Sequence, residues 1–361
     1  MQPLNKPNSL KRVAMATMIG TAIEYFDNYI YTMAAVLIFN HQFFHAADPL
    51  SGQIAALSTL ALTFIARPLG AILFGHFGDR FGRKNTFVIS LLVMGVSTMV
   101  IGLLPTYDSI GIWATLLLCL CRIGQGIGLG GEWGGAALVA IENAPEGKRG
   151  WYGTFPQLGA PLGLLLANGA FLLITDILGS AAMTDWAWRI PFLSSSILVV
   201  IGLYVRLKLA EAPIFVTALD KPQPKTLPMV EVIITHFKPF FLGMLICIAG
   251  YVLFYIIIAF SQIYAKSAPS QSEAGYAMGL GFSPQIFTAL LMYSAVSLAI
   301  SITISGKCID KIGRRIWLIW TTVAVAIFGL ALPYFLENGT TVSLFWFLII
   351  GMGLIGMGYG P

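Results

Sequence analysis

Charge is the scarcest commodity in this chain. Asp, Glu, Lys and Arg together make up 10% of its 361 residues, where a soluble domain carries roughly a quarter. Apolar residues reach 57% and the mean hydropathy is +0.81, so the polar surface is too small to face water on all sides, and a membrane protein is the class that fits. Cysteine and histidine are sparse as well. Cys119, Cys121, Cys247 and Cys308 show no paired metal spacing and read as small apolar fillers. His41 and His45 lie four apart in the first external loop but lack further ligands, so no metal is expected. No nucleophile–base pair or phosphate loop is present either, which argues against an enzyme, and no cofactor is expected. Gly126-x-Gly128-x-x-Gly131 matches the dinucleotide fingerprint in form only, since it lies inside a spanning helix with no strand before it. The net charge of +5 does not point to nucleic acid, because the basic residues fall in short loops between apolar spans.

Long apolar runs, each near the length that crosses a hydrocarbon core, occur ten times: 13–39, 53–77, 86–104, 112–140, 151–175, 189–207, 239–264, 284–306, 316–335 and 343–361. They are continuous rather than alternating, so an all-α polytopic membrane protein is predicted. The first run follows a basic tail but contains Glu24 and Asp27 and is too long for a signal peptide, so it is a retained helix. Most of the 21 Lys and Arg cluster on one side of the predicted topology, from Lys6, Lys11 and Arg12 through Lys148 and Arg149 to Arg206 and Lys208. That bias places the N-terminus in the cytoplasm. The segment 209–237 carries Pro213, Pro222, Pro224 and Pro228 and reads as a cytoplasmic linker. It divides a six-helix bundle, 1–208, from a second bundle of four helices, 238–361.

Two decapeptides bind the halves into a repeat. Gly75-His-Phe-Gly-Asp79-Arg80-Phe-Gly82-Arg83-Lys84 and Gly306-Lys-Cys-Ile-Asp310-Lys-Ile-Gly313-Arg314-Arg315 both read G-x-x-x-D-[RK]-x-G-R-[RK], and each joins two apolar spans. A duplicated unit of this kind marks an internally repeated membrane fold. Equal halves place the natural end of the second near residue 439, at about twelve spans. The expectation is therefore ten of twelve helices, and with it the alternative of a transport-inactive remnant.

Ionisable groups at bilayer depth cost at least about 2.5 kcal/mol and need a partner, a wet cavity or a function. Five stand out: Glu24, Asp27, Arg67, Arg122 and Glu132. Gly20, Glu24, Asp27 and Tyr31 follow helical spacing along one stripe. Two carboxylates on one face repel when both are ionised, which suits the reversible protonation of a symporter; plain pairing with arginines is the alternative. Arg122, Gln125 and Trp133 share a face with Gly126 and Leu129, offering a guanidinium, an amide and an indole to one cavity. The anion facing Arg122 is Glu24, Asp27 or a substrate carboxylate. Glu132 sits about 15 Å nearer the cytoplasm and, with Arg67, is a gate or salt-bridge candidate. Gln157, between Pro156 and Pro161, is a further substrate candidate, whereas Trp186 and Trp188 read as interfacial belt residues. Tyr31 fits either role. Glycines around Arg122 are best explained by close helix packing.

The decapeptides resemble the loop signature of the major facilitator superfamily. Glu24-Tyr-Phe-Asp27-x-x-x-Tyr31, Arg67-Pro-Leu-Gly70, Gly130-Gly-Glu-Trp-Gly-Gly135, Trp188-Arg-Ile-Pro-Phe192 and Glu211-Ala-Pro-Ile-Phe215 together resemble its metabolite:H⁺ symporters, which include bacterial shikimate, α-ketoglutarate, citrate and proline or betaine carriers. The resemblance implies a twelve-helix fold, alternating access, a bacterial inner-membrane location and the proton gradient as driving force. The leading expectation is proton coupling at Glu24 and Asp27 and a substrate that is a small carboxylate or a zwitterion, handled by a monomer. The resemblance also implies that Asp310 meets the start of span 5 near Tyr152, and that Asp79 meets the start of an eleventh span, which this sequence does not contain. Shikimate-like organic acids are the preferred substrates; a zwitterion symporter or an exporter of the same fold is the alternative.

Overall fold

A computed structural model describes residues 10–44, 49–81, 83–207, 235–267, 279–337 and 339–359. Among these the regular structure is helical throughout. Ten long helices follow in order: α1 (Leu10–Leu37), α2 (Pro49–Phe81), α3 (Arg83–Leu103), α4 (Ile112–Glu142), α5 (Arg149–Ala182), α6 (Arg189–Leu207), α7 (Phe237–Tyr255), α8 (Pro284–Ile312), α9 (Arg314–Glu337) and α10 (Thr341–Tyr359). A π-helical turn, Ile256–Phe260, and a last stretch, Ser261–Lys266, prolong α7. Most helices outrun their apolar spans by a few residues, because helical hydrogen bonding continues into the polar boundary where water shares the terminal groups. The proline-rich segment expected to link the bundles lies outside the described residues.

Among the described residues nine helices are long and apolar enough to cross a membrane. α1 is as long as several of them, but Glu24, Asp27, Asn28 and three tyrosines depress its hydropathy. Its position resolves the conflict. It packs lengthwise against α5 and is flanked by α4 and α6, so both carboxylates are buried in protein. Elsewhere α2 pairs with α4, α3 with α4 and α6, and α8 with α10, while α5 and α8 form the broad contact between the two halves.

Missing side chains set how closely these pairs approach. A Cβ on Gly126 or Gly130 would collide with the backbone oxygen of Thr63 or Arg67 on α2, and one on Gly159 or Gly163 with the backbone of α1. Neither neighbour is a flexible side-chain tip, so close approach is enforced backbone to backbone. The two prolines of α5 leave it continuous; the chain departs from helical geometry only at Gly179, where φ is +84°.

The decapeptides are not loops. The first lies at the end of α2 and the start of α3, with Gly82 between them. In the second, α8 runs on to Ile312, Gly313 takes φ +86° as its N–H caps Ile309 O, and Arg314 opens α9. The motif's second glycine is thus a helix terminator in a conformation that L side chains avoid, which lets two helices meet with one residue between them.

Gly130→Leu is expected to lower stability by about 1–3 kcal/mol through overpacking. Gly243→Ala, whose Cβ meets nothing within 4 Å, is expected to be neutral or slightly stabilising. Thermal unfolding of both variants in detergent checks the pair; equal midpoints would exclude the packing account.

Candidate functional site

Two charged residues of the first bundle, Arg122 and Asp27, are joined by a chain of hydrogen bonds. The Arg122 guanidinium donates to Gln125 Oε1 at 2.6 Å, one helical turn along α4. Gln125 Nε2 donates to Thr98 Oγ1 on α3 at 2.7 Å, and Thr98 donates to Asp27 Oδ2 on α1 at 2.7 Å. All four side chains are at most 4% exposed. Arg122 also lies over the ring of Tyr31, 3.6 Å from its centroid, and Tyr31 is hydrogen-bonded to Thr59 on α2. The cation is held by an amide and an aromatic face, with two neutral side chains between it and Asp27. A direct pairing of Arg122 with Glu24 or Asp27, which the sequence left open, is therefore not what forms. Gln125 lies within reach on the same helix, and Thr98 from α3 stands between it and Asp27.

Glu24 looks elsewhere. Together with Tyr25, Asn28, Phe64, Arg67, Tyr251 and Tyr255 it lines a cavity of about 1360 Å³ between α1, α2 and α4 of the first half and α7 of the second. Its walls are mainly apolar, as ligand sites generally are. Arg67 sits over Phe64, 4.6 Å from the ring centre. Phe64 meets Tyr255 edge-on at 5.5 Å, and Tyr29 contacts Phe254 at 6.2 Å. Aromatic rings thus carry the contact between the halves beside the cavity.

Of the residues singled out from sequence, Glu24 and Arg67 line this cavity, whereas Asp27, Arg122, Gln125 and Tyr31 lie one layer behind it inside the first bundle. Gln157 is half-buried on α5 and is not among the lining residues. The side chains of Glu132, Trp133, Asp79, Arg80, Arg83 and Lys84, and residue Gly82, lie outside the description. Tyr31 and Trp188 are not belt residues: both are fully buried, Trp188 among Phe39, Phe43 and Phe192. Arg206, grouped by sequence with the loop cations, is buried and donates to Phe87 O at 2.7 Å. Sequence reasoning passed over Thr98, Tyr25, Asn28, Tyr251 and Tyr255. The last two are spaced i, i+4 on α7, a polar stripe that was there to be read.

At the end of the molecule carrying the decapeptides, Asp310 crosses between the halves. Its two oxygens accept from the backbone N–H groups of Gly150 and Trp151, at 2.7 and 2.9 Å, at the start of α5. A carboxylate satisfying orphan N–H groups at a positive helix end is a charge-assisted cap, here supplied by the opposite half. Its close fit depends on Gly150 and Gly306, whose absent side chains leave room for Asp310, Thr154 and the facing backbone.

Two helical halves around a central cavity, with buried charges on one side, have the fold of a transporter of the major facilitator class, not of an enzyme. Residues 13–226 match the family described as sugar (and other) transporter, and the chain belongs to that family. It is 86% identical over 360 residues to a Haemophilus influenzae protein provisionally named for metabolite transport, covering all of this chain and 80% of that one. It is 45% identical to the inner membrane metabolite transport protein YhjE of Escherichia coli, covering 98% and 79% of the two chains. To the shikimate transporter of Escherichia coli it is 32% identical, covering 97% and 77%. Among solved structures, the proton:xylose symporter XylE superposes with a TM-score of 0.72 at 16% identity, covering 98% of this chain and 80% of that one; this likeness concerns the fold.

Asp310→Ala is expected to destabilise the contact between halves by about 1–2 kcal/mol, the value of a lost helix cap. Hydrogen exchange at the start of α5 should rise in that variant and stay unchanged at the start of α6.

Proposed function

We propose that this protein imports a small organic acid across the bacterial inner membrane, driven by the proton gradient and acting as a monomer by alternating access. In this reading the N-terminus and both decapeptides are cytoplasmic. The observation that carries it is the pairing of a large, mainly apolar cavity with a buried carboxylate system beside it: Glu24 on the cavity wall and Asp27 behind it. Asp27, whose hydrogen bond comes from the neutral Thr98, is suited to load and release a proton inside the bilayer. Arg67 is the cation that reaches the cavity, so the substrate carboxylate is assigned to it in place of Arg122. Arg122, Gln125 and Tyr31 then act from the second layer, tying Asp27 to α2 and α4. A shikimate transporter among the relatives favours a hydroxylated ring acid, whose faces fit the tyrosine and phenylalanine walls.

A second reading has its own support. Glu24 and Arg67 line one cavity with Tyr25, Tyr251 and Tyr255, a set that also suits a zwitterion whose ammonium rests on aromatic faces.

Uptake of labelled shikimate and of labelled glycine betaine by cells carrying the protein separates the two. The expected outcome is shikimate accumulation that a protonophore abolishes. Asp27→Asn should reduce it by about a hundredfold, the lower range for loss of a proton-transfer group. Arg67→Ala should raise the concentration for half-maximal uptake by roughly tenfold or more, as loss of a charged hydrogen bond requires. Accumulation of betaine alone would establish the zwitterion reading. Protonophore-resistant uptake would remove proton coupling, and unchanged uptake in Arg67→Ala would remove the carboxylate anchor.

A further inference from the structure

Behind the large cavity lies a second, small space of about 10 Å³, lined by residues that include Glu24, Asp27, Thr63, Arg122, Gln125 and Leu129. A space of this size holds about one water molecule, provided that polar groups surround it. They do. Glu24 Oε2, Asp27 Oδ1 and Arg122 Nε and Nη2 are buried without a hydrogen-bond partner among the described protein groups. Buried polar atoms are rarely left in that state. Glu24 lines both spaces, whereas Asp27 lines only the inner one.

We propose that Glu24 is the entry carboxylate and Asp27 the terminal one of a two-carboxylate proton relay, bridged by a single water held against Arg122. A proton from the large cavity adds to the Glu24 carboxylate. Protonated Glu24 then gives that proton to the bridging water as the water gives one of its own to Asp27. Glu24 returns to its carboxylate form and the water is unchanged, so one proton moves inward with no other reactant. Thr98 allows Asp27 to be satisfied in both states. The relayed proton arrives on Asp27 Oδ1, the oxygen without a protein partner, and the Thr98 hydroxyl donates to Oδ2 before and after it. Gln125 donates to Thr98 in either case.

Other ionisable groups bear on the pair without replacing the relay. Arg67 on α2 and Arg206 on α6 face Glu24, Arg122 on α4 faces Asp27, Tyr25 and Tyr31 lie on α1 itself, and Tyr255 approaches from α7. From α5, Gly159 and Gly163 meet α1 at Thr21, Ala22, Tyr25 and Phe26.

The relay deepens the reading of these carboxylates as proton-coupling groups and is tested without any substrate. The full chain is reconstituted in lipid vesicles, and the carboxyl C=O stretch is followed by infrared spectroscopy after a rapid pH drop. Asp27→Asn identifies the Asp27 band by its loss. In Glu24→Gln that band should still appear, but slower by about a hundredfold or more, the low end of what a missing proton-transfer group costs. Glu24→Asp should restore much of the rate. Leu129→Phe, at a residue that lines this small space, crowds out the bridging water and should slow the same band, so the idea remains testable if Glu24→Gln does not fold. A wild-type rate in Glu24→Gln or in Leu129→Phe overturns the relay, as does an Asp27→Asn spectrum that loses no band. Protonophore-resistant uptake in cells would instead defeat the symport reading while leaving these infrared rates as they are, so the two failures are distinguishable.

Discussion

Keeping charge out of lipid is the constraint around which this molecule is arranged. Glu24, Asp27, Arg122 and Arg206 are each almost wholly buried, and in hydrocarbon every one would be costly. The first bundle answers by enclosing α1. Its lipid-poor composition is tolerated because α4, α5 and α6 shield it. The glycines of α4 and α5 make that enclosure tight, since only backbones without side chains approach closely enough to leave α1 no lipid-facing side at this depth. Packing and electrostatics are therefore not separate features. The small residues exist where they do because the charges must be walled in.

That enclosure divides the polar residues into two layers with different chemistry. The outer layer, Glu24 and Arg67, meets a cavity shared with α7 and is available to a solute. The inner layer, from Arg122 through Gln125 and Thr98 to Asp27, is linked by its own hydrogen bonds, which leave Asp27 Oδ1 and Arg122 Nε and Nη2 open. A neutral amide and a hydroxyl between cation and carboxylate weaken their direct attraction but keep both in a fixed geometry. Such an arrangement tolerates a change of protonation at Asp27 better than a bidentate ion pair, which would resist losing its charge.

The contact between the halves uses different means at different depths. Near the decapeptides, Asp310 caps the first turn of α5 with two backbone hydrogen bonds. Beside the cavity, Tyr29, Phe64, Phe254 and Tyr255 meet through ring edges and faces. Directional bonds fix a register, whereas aromatic contacts can slide and re-form at small cost. The molecule thus has a firm hold at one level and a yielding one at the other.

Long apolar runs, duplicated decapeptides and carboxylates inside a span are one-dimensional patterns, and the ten helices, the family and the placing of Glu24 and Asp27 inside a helix could be read from them directly. Helix periodicity also placed Arg122 and Gln125 on one face. It could not say what that face meets, because facing partners come from α1, α2 and α3, far away in sequence. Only the packed bundle decided that Thr98 stands between Gln125 and Asp27, that Arg67 and not Arg122 reaches the cavity, and that Trp188 is core and not belt. The same holds for Tyr251 and Tyr255, whose stripe is visible along α7 but acquires meaning only when it closes a cavity against α1 and α2. Sequence determines which residues are too expensive to leave in lipid, since that cost belongs to each side chain by itself. Tertiary structure decides who compensates it, since that depends on distances no linear spacing contains.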